Sequence, residues 1–141
     1  MGVDLGSKRI GIALSDPTGM MASPLLVIQR KGGKQDLAEV VRLALDYDAE
    51  AIVVGLPVDL KGELGIAAQK AQVEIEQLRA LTDLPVHVYD ERLTSAAAQR
   101  AMSDGGVDSR RQRGQVDKIA ATLLLQSYLD RHRHQDAVPE A

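Results

Sequence analysis

The apolar residues of this chain change their period once, and that change restricts the folds open to it. Over the first thirty positions the spacing is two: Ile10, Ile12 and Leu14 alternate with Gly11, Ala13 and Ser15, as in a strand with one face in a core. Met1–Leu5 and Arg9–Ser15, joined through Gly6-Ser7-Lys8, are predicted to form a hairpin. A turn at Asp16-Pro17-Thr18-Gly19 then leads to a third strand over Pro24–Gln29. From Asp36, placed as an N-cap, the spacing becomes 3.6, with Leu37, Val40, Val41, Ala44 and Leu45 on one helical stripe. A short strand over Ala51–Val54 ends at Gly55-Leu56-Pro57, and a helix over Ile66–Leu81 feeds a strand over Val86–Tyr89. Helix–strand–helix–strand order requires parallel pairing, so an antiparallel meander continues into a parallel half-sheet.

Beyond Asp90 the pattern predicts a helical segment from about Thr94 to Met102 and a mobile glycine- and arginine-rich loop from Gly105-Gly106 to Gly114. A final helix over Gln115–Arg131 follows, with Val116, Ile119, Ala120, Leu123, Leu124 and Ser127 on or near one face. The expectation is one α/β domain over residues 1–134 and a flexible tail over 135–141. The chain has no cysteine, which excludes disulfides and thiolate-bound metals but leaves oxygen-liganded ions open. With no apolar run near the length of a membrane span and charges breaking up the first ten positions, a soluble cytoplasmic protein is expected, with no membrane partner.

The formal net charge of −3 argues against coating nucleic acid through bulk positive charge. Local grip remains possible, because basic residues cluster at Lys8-Arg9, at Arg30-Lys31 with Lys34, at Arg110-Arg111 with Arg113, and from Arg131 to His134. Tyr47, Tyr89 and Tyr128 are the only aromatics of the Phe, Trp and Tyr class, so base stacking is not expected as the main source of affinity.

Three acids stand out. Asp4 lies in a strand between Val3 and Leu5, where an ionised carboxylate needs a cation to offset its desolvation. Glu91 follows a strand at its carboxyl end, where sheets of this type build their sites. Asp117 falls in the first turn of the last helix, beside the arginine cluster. Together they form the ligand pattern of one or two Mg²⁺ or Mn²⁺ ions that align a water against a phosphodiester, with Asp4 as the bridging ligand. Lys8, Arg9 and Arg92 are candidate phosphate contacts, and Arg110, Arg111 and Arg113 a candidate backbone clamp. Each acid has a plainer reading: Asp4 as a turn acceptor, Asp117 as an ordinary first-turn acid, Glu91 as a surface partner of Arg92 or Arg100. His87, His132 and His134 lack metal-ligand spacing, and His87 is expected to be structural.

Four segments in order are similar to those of a known family: Asp4-Leu5-Gly6-Ser7-Lys8-Arg9-Ile10-Gly11-Ile12-Ala13, Val54-Gly55-Leu56-Pro57, Asp90-Glu91-Arg92-Leu93-Thr94-Ser95, and Val116-Asp117-Lys118-Ile119-Ala120-Ala121 with Leu125-Gln126-Ser127-Tyr128-Leu129-Asp130. Across nearly its whole length the chain resembles the YqgF, or RuvX, family of Holliday-junction resolvases and ribosomal-RNA-processing nucleases. The resemblance implies a ribonuclease H-like fold, a five-stranded mixed sheet with three strands antiparallel and helices on both faces. It also implies that Asp4, Glu91 and Asp117 correspond to the metal-binding acids, and that the substrate is the precursor of small-subunit ribosomal RNA or branched DNA. Strand alternation sends Asp90 and Glu91 to opposite sides, so only one reaches the metal. Family members begin with a few more residues before the first Asp, which implies a short first strand here. Ala120 stands where the classical bacterial resolvases carry a further acid. A resolvase making paired cuts is expected to be a homodimer, an RNA trimmer a monomer. Two other classes share these features. The Asp4-Leu5-Gly6-Ser7-Lys8 hairpin also resembles the phosphate hairpin of actin-like ATPases, which need two such domains, and a non-catalytic nucleic-acid-binding or protein-interaction module would keep the fold without the chemistry.

Overall fold

The computed structural model describes residues 1–58, 61–94 and 110–136, with side chains in the last stretch for residues 118–132. Five strands, β1 (Gly2–Leu5), β2 (Arg9–Ser15), β3 (Ala22–Gln29), β4 (Ile52–Leu56) and β5 (Val86–Asp90), form one sheet in the order β3-β2-β1-β4-β5. β1 pairs antiparallel with β2, and β2 with β3, whereas β1 with β4 and β4 with β5 are parallel. The shortest strand, β1, therefore sits at the centre with its backbone paired on both sides. Helices α1 (Gln35–Asp46) and α2 (Ile66–Leu81) are the crossover elements, and α3 (Arg110–Asp136) closes the chain.

Strand alternation divides the sheet into two unlike faces. On one face Val3, Ile10, Ile12, Ile52 and Val54 pack with Leu37, Val40 and Leu43 of α1 and Ile75 and Leu78 of α2. That is the main core, and β-branched residues dominate its sheet side. On the other face Ala13, Val53 and Tyr89 meet Ala121, Leu124 and Leu125 of α3. Here the sheet contributes small residues, and a Cβ built on Gly2 would stand 2.8 Å from Leu125 Cβ and 2.9 Å from the Ala121 carbonyl oxygen. α3 lies almost directly on the backbone of β1. Gln126 fastens the helix to the β3 side, accepting from the Ala22 N–H at 2.8 Å and donating to the Met20 carbonyl at 2.9 Å. Ser127 fastens it to the β5 side through the Tyr89 hydroxyl at 2.7 Å.

Several boundaries differ from the sequence-based expectation, each for a physical reason. β3 starts at Ala22, two residues before Pro24; an edge strand with a register shift opposite Ile12/Ala13 accommodates a residue without an N–H. Gly55 and Leu56 lie inside β4 rather than beyond it. Asp36 is not the N-cap of α1, a position taken by Lys34 without any side-chain cap. The buried Asp36 carboxylate instead accepts the N–H groups of Lys31 at 2.9 Å and Gly32 at 3.0 Å, closing the turn that enters the helix. α3 begins at Arg110, five residues before Gln115, so the backbone of Arg110, Arg111 and Arg113 is helical and not loop. Its buried stripe is Ala120, Ala121, Leu124 and Leu125, whereas Ile119 is 39% exposed. The glycine-lined sheet selects the alanines, because a bulkier side chain would lift the helix away. α3 also continues through Asp136, into the expected tail. The predicted helix from Thr94 to Met102 beyond Thr94 itself, the loop up to residue 109 and the tail from 137 lie outside the described residues. Among the described residues, no helix is long and apolar enough to cross a membrane.

The close seat of α3 on β1 leads to an expected outcome. Gly2→Val forces Leu125 and the α3 backbone to move, and should lower unfolding free energy by about 1–3 kcal/mol in urea titration. A midpoint equal to that of the parent chain would show that α3 does not rest on this strand.

Candidate active site

Asp4 occupies the third position of β1, directly opposite Gly11 of β2. Two residues from Gly2, it shares the face on which α3 lies, and it is only 2% exposed. Burial there is a consequence of sheet order, since the central strand has no edge at which a carboxylate can reach water. Beyond Asp4 the hairpin is held by Arg30, whose Nε donates to the Gly6 carbonyl at 2.7 Å while its guanidinium makes a two-pronged pair with Glu74 of α2 at 2.7 and 2.9 Å.

Glu91 is the first residue of a single 3₁₀ turn, Glu91–Leu93, that follows β5. It is 5% exposed and its side chain folds back across β4. A Cβ on Gly55 would stand 2.9 Å from Glu91 Oε1 and 3.1 Å from its Cγ, so only glycine leaves room for this path. β1 and β4 run in parallel register, with Gly2 beside Val53 and Val3 beside Val54. The next step of that register brings Gly55 alongside Asp4. Glu91 thus crosses the strand adjacent to the one that carries Asp4, on the same face. Burial, and secondarily the charge of Asp90, pushes the Glu91 carboxyl up to about 7.

The turn that presents Glu91 is closed on every side. Asp90 accepts from the Arg92 N–H at 2.9 Å, Thr94 Oγ1 donates to the Glu91 carbonyl at 2.9 Å, and Ser127 Oγ donates to the Leu93 carbonyl at 3.2 Å. Because Ser127 also bonds Tyr89, one hydroxyl of α3 ties together β5, the turn and the helix. Asp90 points the other way and pairs with the Arg92 guanidinium at 2.6 Å, which holds its carboxyl below the usual range. Adjacent acids therefore have opposite environments: Asp90 is charged and paired near solvent, Glu91 is desolvated. Arg92 is engaged by Asp90.

Arg9 precedes Gly11 by two residues on β2, so its position lies on the Asp4 face. Lys8, in the turn, instead lines an open cavity of about 630 Å³ with Ser7, Arg30, Lys34 and Glu74. It is not gathered with the two carboxylates. Asp117 lies in α3, seven residues beyond Arg110 and so past the first turn where it was expected, and three and four residues ahead of the buried Ala120 and Ala121. The side chains of Asp117, Arg110, Arg111 and Arg113 are outside the described residues. Among the described residues, no group of three or more His, Asp or Glu is close enough to hold a metal ion. Asp4 and Glu91 nevertheless fit a hard divalent cation: both present buried carboxylate oxygens on one face, and Gly55 clears the strand beside them.

Sequence reasoning missed the glycines. Gly11 and Gly55 keep both strands flanking Asp4 free of side chains, and a glycine inside an apolar strand is a signal of close approach that was there to be read. It also missed Ser127 and Tyr89, whose pairing across 38 residues has no local signature.

The sequence model of the RuvX family, described as Holliday junction resolvase, matches residues 1–131. The chain belongs to the RuvX family. Among its relatives, a protein of Moorella thermoacetica is 45% identical over 131 residues, covering 93% of this chain and 94% of the relative. One of Roseiflexus sp. is 42% identical over 133 residues, covering 94% of each. Both carry the name "Putative pre-16S rRNA nuclease". Of solved structures, Thermus thermophilus RuvC in complex with a Holliday junction substrate superposes with a TM-score of 0.56 at 17% identity, covering 93% of this chain and 94% of RuvC. That likeness gives the ribonuclease H-like fold to this RuvX family member.

Two measurements test the geometry. The folded-state pKa of Glu91 lies above its ordinary value of 4.5, so its contribution to stability is fully present below about pH 4.5 and is lost as pH rises through about 7. Glu91→Gln, which cannot ionise, should make metal-free protein more stable than the parent at pH 8 and no more stable at pH 4, by thermal melts. A difference independent of pH would place the carboxyl in water. Gly55→Ala should leave the fold intact, since the flexible end of Glu91 can move aside, yet return the Glu91 titration toward 4.5 in carboxyl NMR.

Proposed function

We propose that this chain is a divalent-metal-dependent nuclease in which Asp4, Glu91 and Asp117 hold one or two Mg²⁺ or Mn²⁺ ions. The observation that carries the reading is the burial of Asp4 and Glu91 on one face, with glycine on the strand between them. Asp117, whose backbone lies in α3 three residues before the buried Ala120, is taken as the third ligand on the strength of the family resemblance. A bound ion of this class supplies activation of water and neutralisation of charge developing at phosphorus.

The chain's own residues have separable tasks. Asp4 sits on the most constrained strand and sets the position of the pocket. Glu91, raised to about 7 in the metal-free protein, gives up its proton more readily when a cation is close. Arg9 is placed on the same face for a phosphate oxygen, and Arg110, Arg111 and Arg113 approach the substrate backbone from the start of α3. Arg92 contributes by holding the Glu91 turn through Asp90.

The substrate is a structured RNA precursor, the 5′ region of pre-16S rRNA, a reading supported by the names of relatives that match this chain over 93–94% of its length. A four-way DNA junction is the second reading, favoured by the family description. It requires a two-fold dimer able to place two such sites on one junction.

The test is cleavage of pre-16S rRNA and of a four-way DNA junction, with and without Mg²⁺ or Mn²⁺. Asp4→Asn and Asp117→Asn should each lower the rate by about a hundredfold or more, the scale of losing a metal ligand. Cleavage by Asp4→Asn equal to that of the parent would remove the catalytic assignment. Solution mass with each substrate separates the readings: a dimer on DNA supports the resolvase, a monomer on RNA the processing enzyme.

A further inference from the structure

Two of the three tyrosines and two of the three histidines, scattered in sequence, meet at the free edge of the sheet. His87 of β5 stacks on Tyr128 of α3 with ring centroids 5.7 Å apart and planes at 26°. His132, one helical turn on, stacks on Tyr128 at 3.8 Å and 29°. Tyr89 meets Tyr128 edge-on at 6.1 Å from the buried side. Both imidazoles are exposed, whereas Tyr128 is half-buried. The result is a column of π faces standing at the surface, supported from below by the core.

Cations flank it. Arg79, held by its bonds to the Val86 carbonyl at 2.9 Å and to Glu76 at 2.6 Å, and Arg131 line the same groove of about 400 Å³. Its other walls include the 43% exposed Val88 and, at one end, Asp90 and Leu93. Those two residues belong to the segment that carries Glu91, so the groove leads away from the carboxylate pocket along the outer edge of β5. Among the described residues, the acid lining it is Asp90, already paired with Arg92, while Glu76 pairs with Arg79 beside it.

We propose that this groove binds a single-stranded segment of the nucleic acid substrate. A base stacks on the exposed imidazole of His132 or His87, and the adjoining phosphates lie beside Arg131 and Arg79. Single strands, unlike duplex, offer free base faces, and stacking of this kind tolerates any base. A protein partner fits less well, because the exposed faces are stacked imidazoles beside the Arg131 guanidinium, and Asp90 at the groove's end is already paired with Arg92. The inference rests on the nuclease reading for the identity of its ligand, and it assigns that enzyme an exit path for the strand beside the cut.

The experiment compares binding of a short labelled oligoadenylate and an abasic oligomer of equal length by the full chain in EDTA, using fluorescence anisotropy. The parent should prefer the oligoadenylate. The double variant His87→Ala/His132→Ala should weaken oligoadenylate binding by about tenfold, the order of losing one stacked base, and leave the abasic oligomer unaffected. Arg131→Ala should weaken both and reduce the salt slope by about one. Should the double variant fold poorly, the single His132→Ala change and the ring-proton shifts of His87 and His132 in the parent on titration with oligoadenylate give the same answer. Equal binding of the two oligomers by the parent, or parent-like binding by the folded variants, would overturn the proposal. So would a change in solution mass of the double variant without a change in oligomer binding, which would make the edge a contact between copies. Cleavage by the parent together with unaltered binding by the variants would defeat this groove but not the nuclease reading. Base-dependent binding without any cleavage would do the reverse.

Discussion

Keeping a carboxylate out of water at the centre of a sheet is the condition to which the rest of this molecule conforms. Asp4 lies on the central strand of the five, under a helix, and is almost wholly buried. A charge in that position is costly unless its surroundings are arranged for it. The arrangement is visible in what flanks it: glycine at position 11 on one neighbouring strand and at position 55 on the other. At position 55 the missing side chain leaves the space that Glu91 fills from β5, with Leu124 of α3 packed above it.

The covering helix has its own logic. A helix lying on glycine and alanine gains little from side-chain interdigitation, so orientation has to come from elsewhere. Three consecutive residues supply it: Leu125 packs over Gly2, Gln126 bonds the start of β3, and Ser127 bonds β5 and the Glu91 turn. The helix is pinned across the full width of the sheet by one of its turns. This explains in physical terms why the Leu125-Gln126-Ser127-Tyr128 segment forms a recognisable motif although none of its side chains carries an acid.

Much of the architecture was legible because it depends on periodicity. The alternation through Ile10, Ile12 and Leu14 and the helical stripe through Leu37, Val40 and Ala44 each report which side of an element is buried, and the main core is built from those residues, although Leu45, expected on that stripe, is 64% exposed and Leu43 is buried instead. The second face was less legible. Its small residues produce a weak apolar signal, so the stripe on α3 was read one position away from where it lies, with Ile119 inside and Leu125 outside. Asp36 was read as a cap because short acids before helices usually are; here it serves the preceding turn. Asp4 and Glu91 could be singled out from their neighbours alone. That Glu91 passes over Gly55, and that Lys8 lines a cavity with Arg30 and Glu74, required the three-dimensional register of strands distant in sequence.

The two fasteners on α3 have a mechanical corollary. Asp117 precedes Gln126 by nine residues, so at 1.5 Å per residue it sits about 14 Å along the axis from the point of attachment. A helix fixed at one station behaves as a lever arm: a tilt of about 10° there carries the far end by roughly 2 Å, the whole length of a metal–oxygen bond. The hydroxyl of Ser127 and the amide of Gln126 thus act as alignment screws for position 117, which the proposed function makes a metal ligand.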